Sequence, residues 1–328
     1  MLSLNEWDPL KTVIVGSATN AAIPKVDLSL RTVNYANVTD INDIPTGLYP
    51  KQVIDEANED LEVFCDFLKK ENIEVLRPDD GVIPEYYNYC PRDGVLVYDD
   101  LILATPQPLR ARKNEHLALE HCFLKYPEVR YIKNRPDHPD SLYNEACVQD
   151  KDVLALTETT ASFDAANVLK CNQDLFYLVS NSGNKQGAAY LQELVGNNAK
   201  VHLVEGVYSY MHIDSTIALL REGLMLLNPS RIKSIDQLPK PLQSWDYIWA
   251  SEPIDIGHYP GYCNASIWMN MNVFSINPNL IVVEESQEPL RKALEKYKID
   301  CAMLPMRHER TLGGGFHCVT LDLIRSKP

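Results

Sequence analysis

Apolar positions in this chain fall into short runs separated by turn residues, and the runs recur in a set order. Leu10 to Gly16 (Leu-Lys-Thr-Val-Ile-Val-Gly) is an apolar stretch closed by glycine, which predicts a largely buried strand. Over Lys51 to Asn72 the residues Val53, Ile54, Ala57, Leu61, Phe64 and Leu68 have helical spacing, and Ile73 to Leu76 predicts a strand after it. Val95 to Val97, a turn at Asp99-Asp100 and Leu101 to Ala104 predict a hairpin, followed by a helix over Arg110 to Tyr126 and a strand at Val129 to Ile132. The unit returns as strand Leu175 to Val179, a turn at Ser182-Gly183-Asn184, helix Gln186 to Val195 and strand Val201 to Val204. A further copy is Val273 to Ile276, the turn Asn277-Pro278-Asn279, Leu280 to Glu284, helix Pro289 to Lys298 and Cys301 to Leu304. Ser215 to Asn228 adds two apolar runs around Arg221-Glu222-Gly223.

A strand, turn, strand, helix, strand module recurring about every fifty to seventy residues predicts an α/β chain of radially repeated units with helices outside. Hairpins inside the modules count against a doubly wound parallel sheet, because two-residue turns cannot join consecutive parallel strands. No Pro/Ser/Gly-rich linker divides the chain, so residues 1–328 are expected to form a single domain.

Composition narrows the function. The 328 residues are 45% hydrophobic, enough for a large core, and no apolar run reaches the length of a membrane span. Met1 to Trp7 lacks the basic and apolar regions of a signal peptide, so the expected location is the cytoplasm. With 45 acidic against 31 basic residues the formal charge is −14, which disfavours nucleic acid and anionic membranes as partners. The eight cysteines form no C-x-x-C pair, and adjacent His-Cys pairs such as His317-Cys318 are not part of a larger Cys/His cluster, which argues against zinc and against a disulfide framework.

The candidate chemistry begins near the C-terminus, at Leu312-Gly-Gly-Gly-Phe-His-Cys-Val-Thr-Leu-Asp-Leu323. Three glycines permit a tight turn with positive φ, and the alternation Val319, Leu321, Leu323 starts a strand. Cys318 therefore stands where a turn becomes a sheet, beside backbone N–H groups expected to be free, and is a candidate for a nucleophile of lowered pKa. By itself such a cysteine is more often part of the core. In Tyr210-Met-His-Ile-Asp-Ser-Thr216, an extended backbone would place His212 and Asp214 on one face. Asp164, between apolar residues in Phe163-Asp-Ala-Ala-Asn167, could orient an imidazole or merely cap a turn. Asp93, in Cys90-Pro-Arg-Asp-Gly94, has the position of an ordinary turn acid.

Together these strings resemble the amidinotransferase family of glycine, inosamine-phosphate and saxitoxin-pathway enzymes. The matches are Asn5-Glu-Trp-Asp-Pro-Leu10 with Val13-Ile-Val-Gly16, Pro91-Arg-Asp93, Phe163-Asp-Ala-Ala166, Met211-His-Ile-Asp214, Asn228-Pro-Ser-Arg231, Met271-Asn-Val273 and Leu312-Gly-Gly-Gly-Phe-His-Cys318. They occur in family order across nearly the whole length. The resemblance implies a five-bladed α/β propeller of ββαβ modules. It also implies Cys318 as nucleophile, His212 as general acid and base, and Asp164 as the partner that orients His212. Asp93 and Asp214 would grip a guanidinium, Arg231 and Ser266 would hold the donor's amino-acid end, and Met211, Ser209 and Gly313 are further implied substrate-binding positions. A guanidinium carbon is deactivated by resonance, and thiolate is a nucleophile strong and soft enough to attack it.

The implied reaction moves the amidino group of L-arginine through a covalent Cys318 adduct to an acceptor amine, releasing ornithine with ping-pong kinetics. No cofactor or metal is needed for it. Glycine-type enzymes carry Asn two residues before the Met of Met-His-Ile-Asp. The smaller Ser209 stands there in this chain, which implies an acceptor larger than glycine, and the strings Phe163-Asp-Ala-Ala-Asn-Val-Leu169 and Leu178-Val-Ser-Asn-Ser-Gly-Asn184 look more like the antibiotic and toxin branch, which implies a place in secondary metabolism. Arg77 to Tyr89 is shorter than the corresponding loop of many members. Relatives are often dimers, so a homodimer is implied. An arginine deiminase or dihydrolase, with water as acceptor, keeps the same residues. A non-catalytic amino-acid-binding propeller is the reading from another class, and it leaves the thiol without a task.

Overall fold

The computed structural model describes residues 2–326. Strand β1 (Leu10–Val15) comes first, and β2 (Ala22–Ile23) pairs with β3 (Gly47–Leu48) in a short ribbon. The helix Lys51–Lys70 leads to β4 (Glu74–Leu76), which runs parallel to β1. Next come β5 (Val95–Tyr98), β6 (Leu101–Ala104) and β7 (Arg130–Ile132), then β8 (Val168–Cys171), β9 (Asp174–Leu178) and β10 (Lys200–Val204). The remaining strands are β11 (Ile217–Arg221), β12 (Leu224–Leu227), β13 (Asp246–Trp249), β14 (Phe274–Asn277), β15 (Leu280–Glu284), β16 (Asp300–Leu304) and β17 (Thr320–Arg325).

The described residues form five three-stranded sheets with one internal plan: an antiparallel pair and, beside its middle strand, a parallel third strand. Four of the sheets are sequential, β5-β6-β7, β8-β9-β10, β11-β12-β13 and β14-β15-β16. The fifth joins the two ends of the chain, because β17 pairs antiparallel with β1. Side chains in a strand alternate between faces, so one strand feeds two cores. Val13 and Val15 pack with Phe274 and Val282, whereas Ile14 packs with Val97, Leu321 and Leu323. Leu96 and Tyr98 likewise join Leu175 and Tyr177. Both faces of the middle strands are covered, and this is why those strands read as continuous apolar runs rather than alternating ones.

Three of the differences between the predicted elements and the structure have a plain physical cause. Arg110 to Tyr126 is not one helix but three short turns, Arg110–Arg112, Glu115–Leu119 and Glu120–Phe123. Arg112 is turned inward to bond Asp93 and Glu115, and that buried ion pairing outweighs helix propensity. β8 has no counterpart among the predicted strands because Lys170 interrupts its apolar pattern. The lysine is nevertheless buried, its ammonium bonded to Ser3 and Asp322, and Asn172 at φ 56 closes the hairpin to β9. Finally, His212 to Asp214 is not extended, since Ile213–Ser215 forms a 3-10 turn closed by Thr216 N–H donating to the Ile213 carbonyl.

Candidate active site

A short turn precedes the first strand of each antiparallel pair, and each turn presents one or two polar side chains. Asp93 precedes β5, Asp164 precedes β8, His212 and Asp214 precede β11, Asn272 precedes β14, and Cys318 precedes β17. Residues up to 225 positions apart thereby reach one another, as the bond from Arg92 Nε to the His317 carbonyl illustrates. A cavity of about 460 Å³ opens over this set. Its lining includes Asp93, Asp164, Met211, His212, Asp214, Ser266, Gly313 and Cys318, with a wall of tyrosines from Tyr35, Tyr86, Tyr208 and Tyr210.

Glycines make the Cys318 turn possible. Gly313 has φ 84, and a Cβ on Gly314 would lie 2.4 Å from Cys90 Sγ and 2.9 Å from Cys318 Cβ. Several of the backbone donors expected to be free are engaged. Gly313 and Gly314 both donate to the Glu309 carbonyl, and Cys318 N–H donates to Asn272 Oδ1 at 3.0 Å. Asn272 Nδ2 also donates to Cys318 Sγ at 3.1 Å, so Asn272 holds the cysteine from two directions. The thiol lies 3.3 Å from Asp214 Oδ2.

Its acidity is the reverse of the expectation. The hydrogen bond with Cys90, burial and the negative charge of Asp214 push the Cys318 thiol well above its ordinary value, against the pull of His212. These contacts favour the protonated sulfur. Burial works against charge on His212, but Asp93 and Asp164 outweigh it and hold the imidazole well above its usual range. Nε2 of His212 lies 2.9 Å from Asp164 Oδ2, and Nδ1 lies 3.7 Å from Asp93 Oδ1. Asp164 is held in turn by Gln107 Nε2 at 3.2 Å.

The two flanking acids are supported differently. Arg112 Nη1 donates to Asp93 Oδ2 at 2.8 Å, leaving the buried Oδ1 without a hydrogen-bond partner. Burial raises the pKa of Asp93, with His212 and Arg112 opposing. Asp214 would also be raised by burial, but His317, His212 and Cys318 bring it down to about 2.

Other predicted positions fall farther out. Arg231 spends Nη1 on the Ser215 carbonyl and hydroxyl and on Thr216, reaches Ser266 Oγ through Nη2 at 3.3 Å, and stacks on Tyr208. Ser209 is exposed and outside the cavity lining, so the room it was expected to make for the acceptor is not made at the cavity wall. Arg112 and Gln107 went unnoticed in the sequence, and no local pattern marks them, whereas Cys90 opens the string that carries Asp93 but was given no role. Asn272 stands in a matching string, which was the available signal. Among the described residues no group of three or more His, Cys, Asp and Glu is arranged to hold a metal, and no helix is long and apolar enough to cross a membrane.

Comparison with known proteins decides the family. An inosamine-phosphate amidinotransferase of Streptomyces glaucescens is 40% identical over 337 residues, covering 98% of this chain and 96% of that protein. The chain belongs to the amidinotransferase family. As such it is an enzyme, a transferase. The L-arginine:L-lysine amidinotransferase of Pseudomonas savastanoi pv. phaseolicola is 30% identical over 346 residues, 98% of this chain and 94% of that one. Among solved structures, the inosamine-phosphate amidinotransferase of Streptomyces griseus superposes with a TM-score of 0.94 at 39% identity, over 100% of this chain and 97% of the other. An amidinotransferase of the saxitoxin biosynthetic pathway from Microseira wollei gives 0.88 at 28% identity, over 100% and 98%. No family model matches the chain.

Proposed function

We propose that this amidinotransferase takes the amidino group of L-arginine onto Cys318 and passes it to an amine other than glycine. The convergence of Cys318, His212 on Asp164, and the acids Asp93 and Asp214 in one cavity carries this reading. The unpartnered Oδ1 of Asp93 and the carboxylate of Asp214 suit a planar cation with several N–H donors. A guanidinium between them offsets the negative charge that holds the thiol protonated, so donor binding favours the thiolate that attacks it.

The steps balance as follows. The Cys318 thiolate attacks the guanidinium carbon and forms a C–S bond. The C–N bond to the ornithine side chain breaks as His212 gives its proton to the departing amine. An S-alkylthiouronium remains on Cys318. The acceptor amine then attacks the same carbon, His212 takes a proton from it, and the C–S bond breaks to restore the thiolate. Asp164 keeps the imidazole oriented, in the manner of an acid behind a catalytic base. We place the donor's carboxylate against Arg231 Nη2 and Ser266, with Met211 and Gly313 lining the donor channel. The tyrosine wall gives the acceptor a broad, hydroxyl-bearing surface, which accords with secondary metabolism, as does the resemblance to an enzyme of toxin biosynthesis.

We infer also that the five sheets are blades of one propeller domain closed by β17 on β1. The apolar clusters shared by successive sheets, the last with the first, support that arrangement.

Mass spectrometry of protein quenched after mixing with L-arginine tests the function. A mass gain of one amidino group, absent in Cys318→Ser, is expected, with ornithine accumulating only when an amine is added. Citrulline forming without an amine would instead make water the acceptor.

A further inference from the structure

His317 sits beside the thiol in sequence and has no part in the steps above. Its backbone is fixed on both sides, with N–H donating to the Asn272 carbonyl at 3.2 Å and C=O accepting from Arg92 Nε at 2.7 Å. The buried ring lies between two acids, Nδ1 2.9 Å from Asp214 Oδ2 and Nε2 3.3 Å from Glu6 Oε2. The same Asp214 Oδ2 accepts from Cys318 Sγ at 3.3 Å. One carboxylate oxygen is thus shared between the ring and the candidate nucleophile.

We propose that His317 is a positioning residue for the transfer: donating to Asp214 from a ring anchored on Glu6, it fixes that carboxylate toward the guanidinium and keeps a hydrogen-bond donor on it beside Cys318. The inference rests on the function proposed above. Without the ring N–H, Oδ2 would keep only the thiol as a partner. Loss of the thiol proton would then set two negative charges side by side with nothing between them. Glu6 is a firm anchor, since Oε1 accepts from Lys170 N–H at 3.0 Å and Oε2 lies 3.6 Å from Arg92 Nη1. The charged groups around the ring are therefore Glu6, Asp214 and Arg92, with Lys170 and Asp322 behind them. An acid that orients a metal-bound or catalytic imidazole is a familiar outer-layer arrangement, and here the roles are exchanged.

Two substitutions separate the contacts. His317→Asn keeps an amide nitrogen near the place of Nδ1, able to serve Asp214, whereas His317→Gln keeps one near Nε2, able to serve Glu6. In single-turnover mixing with saturating L-arginine, adduct formation on Cys318 should slow roughly tenfold in the Asn variant and roughly a hundredfold in the Gln variant. The pH midpoint for alkylation of Cys318 by iodoacetamide should rise more in Gln than in Asn. Equal adduct rates in the two variants, or midpoints left at the parental value, would overturn the proposal. If neither variant folds, Glu6→Gln removes the charge behind the ring while keeping its shape, and a parental adduct rate and midpoint there would overturn it equally. Should the parental enzyme form no adduct, the function proposed above fails, and the alkylation midpoints still decide the role of His317.

Discussion

Two buried clusters of charge meet at His317 and are built on opposite principles. In the first, Asp322 is fully buried and answered by three cations, with Lys170 and Arg92 at 2.9 Å and Arg325 at 2.7 Å, while Ser3 donates to it as well. These bonds hold its carboxyl well below the ordinary range, the charge of Lys170 being the foremost of several opposing the cost of burial. In the second, the cavity, Asp93, Asp164 and Asp214 face one another with His212 and the single guanidinium of Arg112 between them, and one oxygen of Asp93 is left over. The first cluster has its counter-charges within the chain. The second is short of positive charge, which under the function proposed above a guanidinium substrate would supply. On that proposal, buried acids of the same type serve stability in one place and recognition in the other.

The largest effect expected from breaking this contrast is at the sulfur. Cys318→Ala should lower turnover by on the order of 10⁴-fold or more, read by ornithine release, with thermal unfolding little changed. Next come the acids. Asp93→Asn should cost about 10²- to 10³-fold in kcat/KM for L-arginine. Asp322→Asn should instead cost roughly 3–5 kcal/mol in denaturant unfolding, because it strands buried cations. If Asp322→Asn unfolds no more easily than Asp93→Asn, the two clusters are not different in kind.

The thiol gives a pH test. Because Cys90, burial and Asp214 hold it above its ordinary value, thiolate absorbance, taken as the difference from Cys318→Ser, should develop only in alkaline solution. Added guanidinium ion should move that rise to lower pH. A rise near neutrality without any cation would remove the need for donor activation.

The smallest expected effect concerns stability. Burial raises Glu115 from 4.5 to about 7, so its contribution is present below the unfolded value and fades as pH rises through about 7. Glu6, lowered to about 2 despite burial by Lys170, His317 and Arg92, has the opposite sign, its contribution being present above 4.5 and lost as pH falls through about 2. Glu115→Gln should therefore flatten the stability loss between about pH 4.5 and 7 and leave the loss below 4.5 alone, as followed by urea midpoints across pH.

Much of the repeat was legible because strands covered on both faces write unbroken apolar runs. β6, β9 and β15 announced themselves in this way, as did the helix Lys51–Lys70 through its periodic face. β8 was hidden by Lys170, whose burial is explained by partners far away in sequence, Asp322 at 152 positions and Ser3 at 167. The grouping of Cys318, His212, Asp164, Asp93 and Asp214 came from ordered strings resembling a family, not from any local pattern. Arg112 was lost inside an apparently helical stretch, and Ser209 was placed in a cavity it does not line.

By itself the sequence determined the alternation of strands and helices and the chemical types available, since both follow from neighbouring residues. Tertiary structure decided which oxygen of Asp214 meets the sulfur, whether the thiol is acidic, and which charges are left unmatched. Those properties depend on distances of a few ångströms between turns at the starts of different sheets, and electrostatic effects in a buried site vary steeply over such distances.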